Sequence, residues 1–292
     1  MKIAGFSFIK NAVINDYPIV EAINSILPIC DEFVIAVGKS DDATRQLIEE
    51  IGSPKIRIIE TEWDLDLKVG GKIFAEQTNI AYQAISDDVD WAFYIQGDEC
   101  VHEKYLPVIK QEMQQELKNS KIEGLLFKYK HFYGSYDYVA ESRRWYRREI
   151  RIVKKLTGIK SYRDAQGFRL DNRKLNVKLI NAYIYHYGWV KPPQSISLKM
   201  NNFTQFYHPE NWIPDFEPTE DTFDYGNADK LVAFSETPPA VMIPRLKRAN
   251  WKFKIDPTRL EINRKFKVRL LQWVEEKLGI RLFEYKNYKI VK

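Results

Sequence analysis

The chain has 292 residues, 45% of them hydrophobic and 14% aromatic, with 45 Lys+Arg against 40 Asp+Glu for a formal charge of +5. That length and apolar content suit one large domain, or one domain with an appendage, around a sizeable core. No apolar run approaches the ~20 residues that span a bilayer. The opening Lys2-Ile-Ala-Gly-Phe-Ser-Phe-Ile9 runs straight into Lys10-Asn11, which is not a signal peptide pattern. The expectation is a cytoplasmic protein, at most peripheral at the inner face of the membrane. Cys30 and Cys100 sit in apolar surroundings with no metal-ligand spacing, as free thiols of a reducing compartment do.

In chain order, the first half alternates strand and helix. Ile3–Ile9 reads as strand, Tyr17–Leu27 as helix, Phe33–Val37 as strand and Ala43–Ile51 as helix. Ile56–Glu60 is strand, Ile73–Ile85 helix, Trp91–Ile95 strand, Tyr105–Leu117 helix and Leu125–Tyr129 strand. Such alternation means βαβ units and a mostly parallel sheet. The second half is irregular. Short β-like pieces occupy 124–153, Tyr183–Tyr187 is another, and a helix is expected from Ser195 to Phe206. A proline-rich stretch follows through Pro244, and Thr258–Leu278 returns to helix with Phe266, Leu270 and Val274 as its packing face. Residues 1–130, 131–215 and 216–292 are the natural divisions.

Charge is uneven along the chain. Arg245–Lys292 carries 15 basic against 5 acidic residues, and Glu141–Lys174 carries 12 against 4. Phosphorylated substrate or anionic lipid are the partners this suggests. No nucleic-acid motif accompanies the basic stretches, so no nucleic acid partner is expected.

The chemistry concentrates at turns that follow strands, or at helix starts just beyond them, where open α/β sheets bind ligands. Asn11 follows the first strand, and Ser40-Asp41-Asp42 follows the second. Gly70-Gly71-Lys72, with Asn79 further along, opens the third helix, whose backbone N–H groups could receive a diphosphate. Gln96-Gly97-Asp98-Glu99 ends the aromatic strand from Trp91. Carboxylates in that place suit Mg²⁺ or Mn²⁺. They equally suit the cap of the following helix, and each of the other features has a structural reading of the same kind.

Together these motifs resemble family 2 glycosyltransferases of the GT-A (Rossmann-like) fold. Phe33-Val-Ile-Ala-Val-Gly-Lys-Ser-Asp-Asp-Ala-Thr-Arg45 is similar to the family's nucleotide-binding turn. Gly71-Lys-Ile-Phe-Ala75 with Asn79-Ile-Ala81 is similar to its helix motif, and Gln96-Gly97-Asp98-Glu99 to its acidic metal motif. The likeness covers residues 1–130 well and loosens afterwards. It departs at Gly38-Lys39, where an acidic pair is usual, and at Gln96, which brings no charge. The resemblance implies an inverting transfer from a nucleoside-diphosphate sugar to a carbohydrate or glycolipid acceptor, as in cell-envelope polysaccharide or lipopolysaccharide synthesis. It implies Asn11, Ser40, Asp41, Asp42, Gly71, Lys72, Asn79, Gln96 and Gly97 around the nucleotide sugar. Asp98 would hold the metal, with Glu99 helping or bracing and with His186 as a further ligand or a satisfied structural histidine, and Asp164 or its rival Glu141 would be the catalytic base. An ion pair with Arg163 or Arg143 is the structural reading of those two carboxylates. Trp145, Tyr146 and Trp189 are stacking candidates or core. The basic helix with Arg264, Lys265, Lys267 and Arg269 packs on the domain or touches anionic membrane. A catalytically silent nucleotide-sugar or polyanion binder is the alternative from another class. A sugar nucleotidyltransferase is disfavoured, because Ile9-Lys-Asn-Ala-Val13 lacks a Gly-rich loop.

Overall fold

The computed structural model describes residues 1–64, 67, 69–192, 195, 196, 199, 230–251, 253 and 266–291. Its first half holds β1 (Ile3–Ile9), α1 (Ile19–Ile26), β2 (Glu32–Gly38), α2 (Thr44–Glu49), β3 (Ile56–Thr61), α3 (Lys72–Gln83) and β4 (Trp91–Tyr94). There follow β5 (Glu99–Val101), α4 (Leu106–Glu116), β6 (Gly124–Tyr133), β7 (Tyr138–Ala140) and β8 (Arg148–Lys154). The remainder comprises β9 (Ile159–Tyr162), β10 (Gly167–Leu170), β11 (Arg173–Lys174), β12 (Asn176–Trp189), β13 (Leu231–Ala233), α5 (Ile243–Arg248), α6 (Phe266–Leu278) and β14 (Lys289–Ile290).

The main sheet runs in the order β13-β7-β6-β8-β4-β1-β2-β3. β4, β1, β2 and β3 are parallel, while β8 enters antiparallel between β4 and β6. β12 lies parallel to β6 and carries β5 antiparallel on it. β9, β10 and β11 make a separate three-stranded sheet. Helices cover both faces of the parallel part. Ile19, Ile23 and Ile26 of α1, Ile48 of α2, and Ile109 and Met113 of α4 pack on Ile3, Phe33, Trp91 and Phe93. On the other face Ile73, Phe74 and Tyr82 of α3 meet Phe6, Val34, Tyr94 and Phe168. A strand covered on both sides has no polar face to show, which is why β1, β2 and β4 read as unbroken apolar runs. Trp91 Nε1 also donates to the Met113 carbonyl (3.1 Å), pinning β4 to α4.

This mainly parallel α/β sheet with flanking helices is the layout that the GT-A resemblance implies. The second half differs in detail from the expectation. β6 extends to ten residues and the Tyr183–Tyr187 piece is part of the fourteen-residue β12. Glu99 does not sit in a turn but starts β5. That three-residue strand exists through its pairing with β12, a tertiary contact with no local periodicity to betray it. The expected packing face of the C-terminal helix is only partly in place, with Val274 half-buried. Phe266 is 81% exposed and Leu270 47%. α6 instead docks through buried Gln272 and through Glu275, whose carboxylate takes Arg143 at 2.6 Å and Arg281 at 2.8 Å. Apart from Ser195, Ile196 and Lys199, the helix expected over 195–206 lies outside the described residues. So do Pro209, Pro214, Pro218, Arg264 and Lys265.

Candidate functional site

β1, β2 and β4 end along one edge of the sheet, with Ile9 beside Val37 and Phe6 beside Tyr94. Beyond β1 the chain turns at Asn11, whose φ of +52° is one that Asn tolerates better than most residues. The Asn11 N–H donates to Ser40 Oγ (3.0 Å), and its side-chain oxygen accepts from the Asp41 N–H (2.9 Å). Asp42 has both oxygens engaged. Oδ2 accepts from the N–H groups of Val13 (2.9 Å) and Ile14 (2.8 Å), and Oδ1 from the N–H (2.9 Å) and hydroxyl of Thr44. Asp42 therefore stitches the two loops together rather than facing a ligand. Of the acidic pair, Asp41 is the exposed one.

The start of α3 needs two left-handed residues, and Gly70 and Gly71 supply them with φ of +68° and +69°. Gly71 is also a close approach, since a Cβ there would stand 2.8 Å from the Asp164 Cβ. Asp164 is thereby brought to the α3 start, beside the exposed Lys72. Asn79, expected at the nucleotide, accepts the Ser161 N–H (2.7 Å) and ties α3 to β9. Gln96 is clamped from both sides: Nε2 donates to the Tyr94 hydroxyl (3.3 Å) and the Ala165 carbonyl (3.5 Å), and Oε1 accepts from Arg151 (3.3 Å).

Glu99 has the surroundings of the bracing role. It and Arg151 are both fully buried, joined fork to fork by Nε–Oε2 (2.8 Å) and Nη2–Oε1 (2.7 Å). The Tyr129 hydroxyl (2.8 Å) and Gln96 N–H (3.2 Å) complete its shell. Two donors on each oxygen leave it a brace for the turn instead of a metal ligand.

Asp98 faces a different set of groups. Its Oδ2 stands 3.7 Å from His186 Nε2 and 3.4 Å from Lys199 Nζ, which also donates to the Gly188 carbonyl (2.8 Å). Lys191 is buried nearby, its ammonium donating to the carbonyls of Asn15 (2.7 Å) and Asp16. Burial alone would raise the Asp98 carboxyl, but the charges of His186, Lys199 and Lys191 outweigh it and hold the group down to about 2. Burial pushes Lys191 the other way for an ammonium, down to about 7. Asp98 is ionised throughout the physiological range.

Asp98 Oδ2 and His186 Nε2 are close enough to share one cation. Octahedral ligand atoms about 2.1 Å from Mg²⁺ stand about 3.0 Å apart when adjacent, so the 3.7 Å between these two would have to close by about 0.7 Å. A Cβ on Gly188 would lie 2.6 Å from Asp98 Oδ2 and 2.8 Å from His186 Nε2, so glycine keeps the space between them open. Among the described residues no cluster of three His, Cys, Asp or Glu side chains could hold a metal ion. Two protein ligands completed by substrate phosphate oxygens are the usual arrangement for Mg²⁺.

Glu141 lies elsewhere. It is exposed, 3.8 Å from Lys230, in the wall of a cavity of about 530 Å³ shared with Lys130, His131, Trp145 and Tyr146. Sequence reasoning missed Arg151, His131, Gly188, Lys191 and Lys199. Arg151 had a visible signal, since a lone cation between Ile150 and Ile152 in a buried strand demands a partner. The others acquire their neighbours only through strand register.

No protein-family model matches the chain, and no curated protein matches it. Among solved structures it is similar to S. aureus TarS, with 16% identity and a TM-score of 0.41 over 70% of this chain and 39% of TarS. The match thus spans well under two thirds of that protein's length. TarS 1–349 in complex with UDP-GlcNAc matches with 21% identity and a TM-score of 0.35, over 46% of this chain and 36% of that one. Glucosyl-3-phosphoglycerate synthase from Mycobacterium tuberculosis, in complex with Mg²⁺ and UDP, matches with 19% identity and a TM-score of 0.29, over 45% and 43%.

Proposed function

We propose that the protein is a nucleotide-sugar-dependent glycosyltransferase of the GT-A type, transferring with inversion to a carbohydrate or glycolipid hydroxyl of the cell envelope. The observation that carries this reading is Asp98, held ionised opposite the His186 ring across the gap that Gly188 leaves. It lies in the turn between β4 and β5, on the edge where α/β sheets take their ligands. Asp98 and His186 would hold Mg²⁺ or Mn²⁺, which when bound neutralises charge on the leaving diphosphate.

The chain's own groups divide the remaining work. The free N–H groups at the start of α3, with Lys72, receive phosphate oxygens, and Asp41 with Asn11 and Ser40 contacts the nucleoside. Lys199 adds a second cation on the diphosphate side of Asp98. Asp164 is the better placed base, because it packs against Gly71 on the donor edge while Glu141 belongs to the cavity wall. It takes the proton of the acceptor hydroxyl as that oxygen attacks the sugar carbon.

Hydrolysis of a panel of nucleotide sugars, with and without Mn²⁺, tests the reading. Asp98→Ala should lower turnover at least about a hundredfold, and unchanged turnover sinks it. Binding of a nucleotide sugar without any turnover in the unaltered protein would point to the silent binder instead.

A further inference from the structure

α6 turns Phe266, Leu270 and Trp273 to solvent and keeps Gln272 and the Glu275 carboxylate inside, at 7% and 13% exposure. An amphipathic helix normally buries its apolar stripe, and polar groups taken from water need partners. An inner face of this kind calls for something polar opposite it. Gln272, Glu275 and Glu276 form one side of the cavity of about 530 Å³ that also holds Glu141. Its other walls come from β6, β7, β13 and the segment 141–147. That volume falls among those of small-molecule sites, roughly 300–1,000 Å³. Among the described residues the wall carries four cations and four carboxylates. They are largely paired with one another: Lys130 with Glu236, Lys230 with Glu276 (2.7 Å) and Arg281 with Glu275 (2.8 Å). Such a wall has no net charge to offer an ionic ligand. It is nonetheless dense in donors and acceptors, because an ammonium has three protons and a carboxylate about four lone-pair sites, so pairing does not exhaust them. The aromatic rings of Trp145, Tyr146, Tyr183 and Phe234 lie among these groups.

We propose that this cavity is a binding site for a neutral saccharide, roofed by the polar face of α6. A sugar ring matches both properties of the wall. Its hydroxyls donate and accept at once, which suits alternating ammonium and carboxylate groups, and its C–H faces lie against aromatic rings. Phosphorylated or uronic-acid chains are selected against, because an anion placed there meets as many carboxylates as cations. The cavity also adjoins the Asp98 site. His131 lines it, and the His131 ring touches that of His186, with 3.1 Å between their Nδ1 atoms. In a transferase the bound saccharide is a section of the acceptor set back from the reacting hydroxyl. That role rests on the transferase reading, whereas the binding itself does not.

The test applies the full chain, without nucleotide or metal, to an array of neutral and anionic glycans, and then titrates the best neutral binder calorimetrically. Gln272→Leu keeps the size of the side chain and removes its amide, and Trp145→Ala removes an aromatic face. Each should weaken binding about tenfold or more, with melting curves showing that both variants fold. Leu270→Gln, on the outer face of α6, should bind as the unaltered chain does. In the unaltered chain the Gln272 amide and Trp145 indole N–H signals should shift when the glycan is added, which locates the site without any substitution. Binding of anionic glycans only, or of none, overturns the proposal. So do neutral binding that survives both inner substitutions and N–H signals that stay in place. Turnover of nucleotide sugars is read separately: its absence removes the acceptor role and leaves the saccharide site standing, while absent glycan binding leaves the transferase reading to its own test.

Discussion

Replacing Arg151 by Met separates the two roles open to Glu99. Arg151 has five N–H donors, and the structure gives each a partner: two bonds to Glu99, one to Gln96, and one each to the carbonyls of Ile150 (3.0 Å) and Gln166 (3.1 Å). Methionine fills much the same volume but leaves the Glu99 charge buried, with Tyr129 and the Gln96 N–H as its remaining partners. Breaking a buried pair from one side costs about 3–5 kcal/mol. That is a large share of a typical total of roughly 5–15 kcal/mol, and over 292 residues it should lower the melting temperature by roughly 5–8 °C. The double variant Glu99→Gln/Arg151→Met removes both charges and should recover about half of the loss or more. Glu99→Gln alone should destabilise the protein while leaving Mn²⁺ affinity close to that of the unaltered chain, because Asp98 is untouched. Melting curves and Mn²⁺ titrations of the three variants decide the matter. Glu99→Gln that weakens Mn²⁺ binding at unchanged stability would make Glu99 a ligand and refute the brace.

Burial pushes the Glu149 carboxyl up to about 8 from an ordinary 4.5. The folded chain therefore keeps a proton that the unfolded chain has released, and stability should fall as pH rises through that window, by up to about 5 kcal/mol. Glu149→Gln should flatten this part of the stability–pH curve, and an unaltered slope in the variant would remove Glu149 as its source. Phe266, Leu270 and Trp273 lie outward on α6, with Phe283 86% exposed nearby in sequence and Lys174 and Arg163 cations beside the Tyr285 ring. Basic and aromatic side chains together suit an anionic lipid surface, so the protein should float with phosphatidylserine-containing vesicles and less so as Trp273→Glu. Flotation that is absent, or insensitive to Trp273, counts against membrane contact.

The contrast between the two halves has a physical cause. The elements up to β4, and α4 after them, show themselves in local periodicity, because β1, β2 and β4 are covered on both faces and each crossover helix has one apolar stripe. The same logic places Asn11, Ser40, Gly71 and Asp98 at turns, since a parallel strand must end before its crossover begins. What surrounds Asp98 is set differently. His186 reaches it because β12 pairs with β5 so that His186 opposes Glu99, and His131 reaches His186 because β12 also pairs with β6. Registers between strands far apart in sequence leave no trace in a window of ten residues. Pairing can even reassign a residue that the sequence presents plainly. Asp98 and Glu99 are adjacent carboxylates, yet Asp98 closes the turn after β4 while Glu99 opens β5 and is fixed by its pairing with β12. One is delivered to His186 and Lys199, the other to Arg151. The lone arginine inside the neighbouring apolar strand thus marks Glu99 as the anchored one of the two, and leaves Asp98 as the carboxylate to test for a ligand.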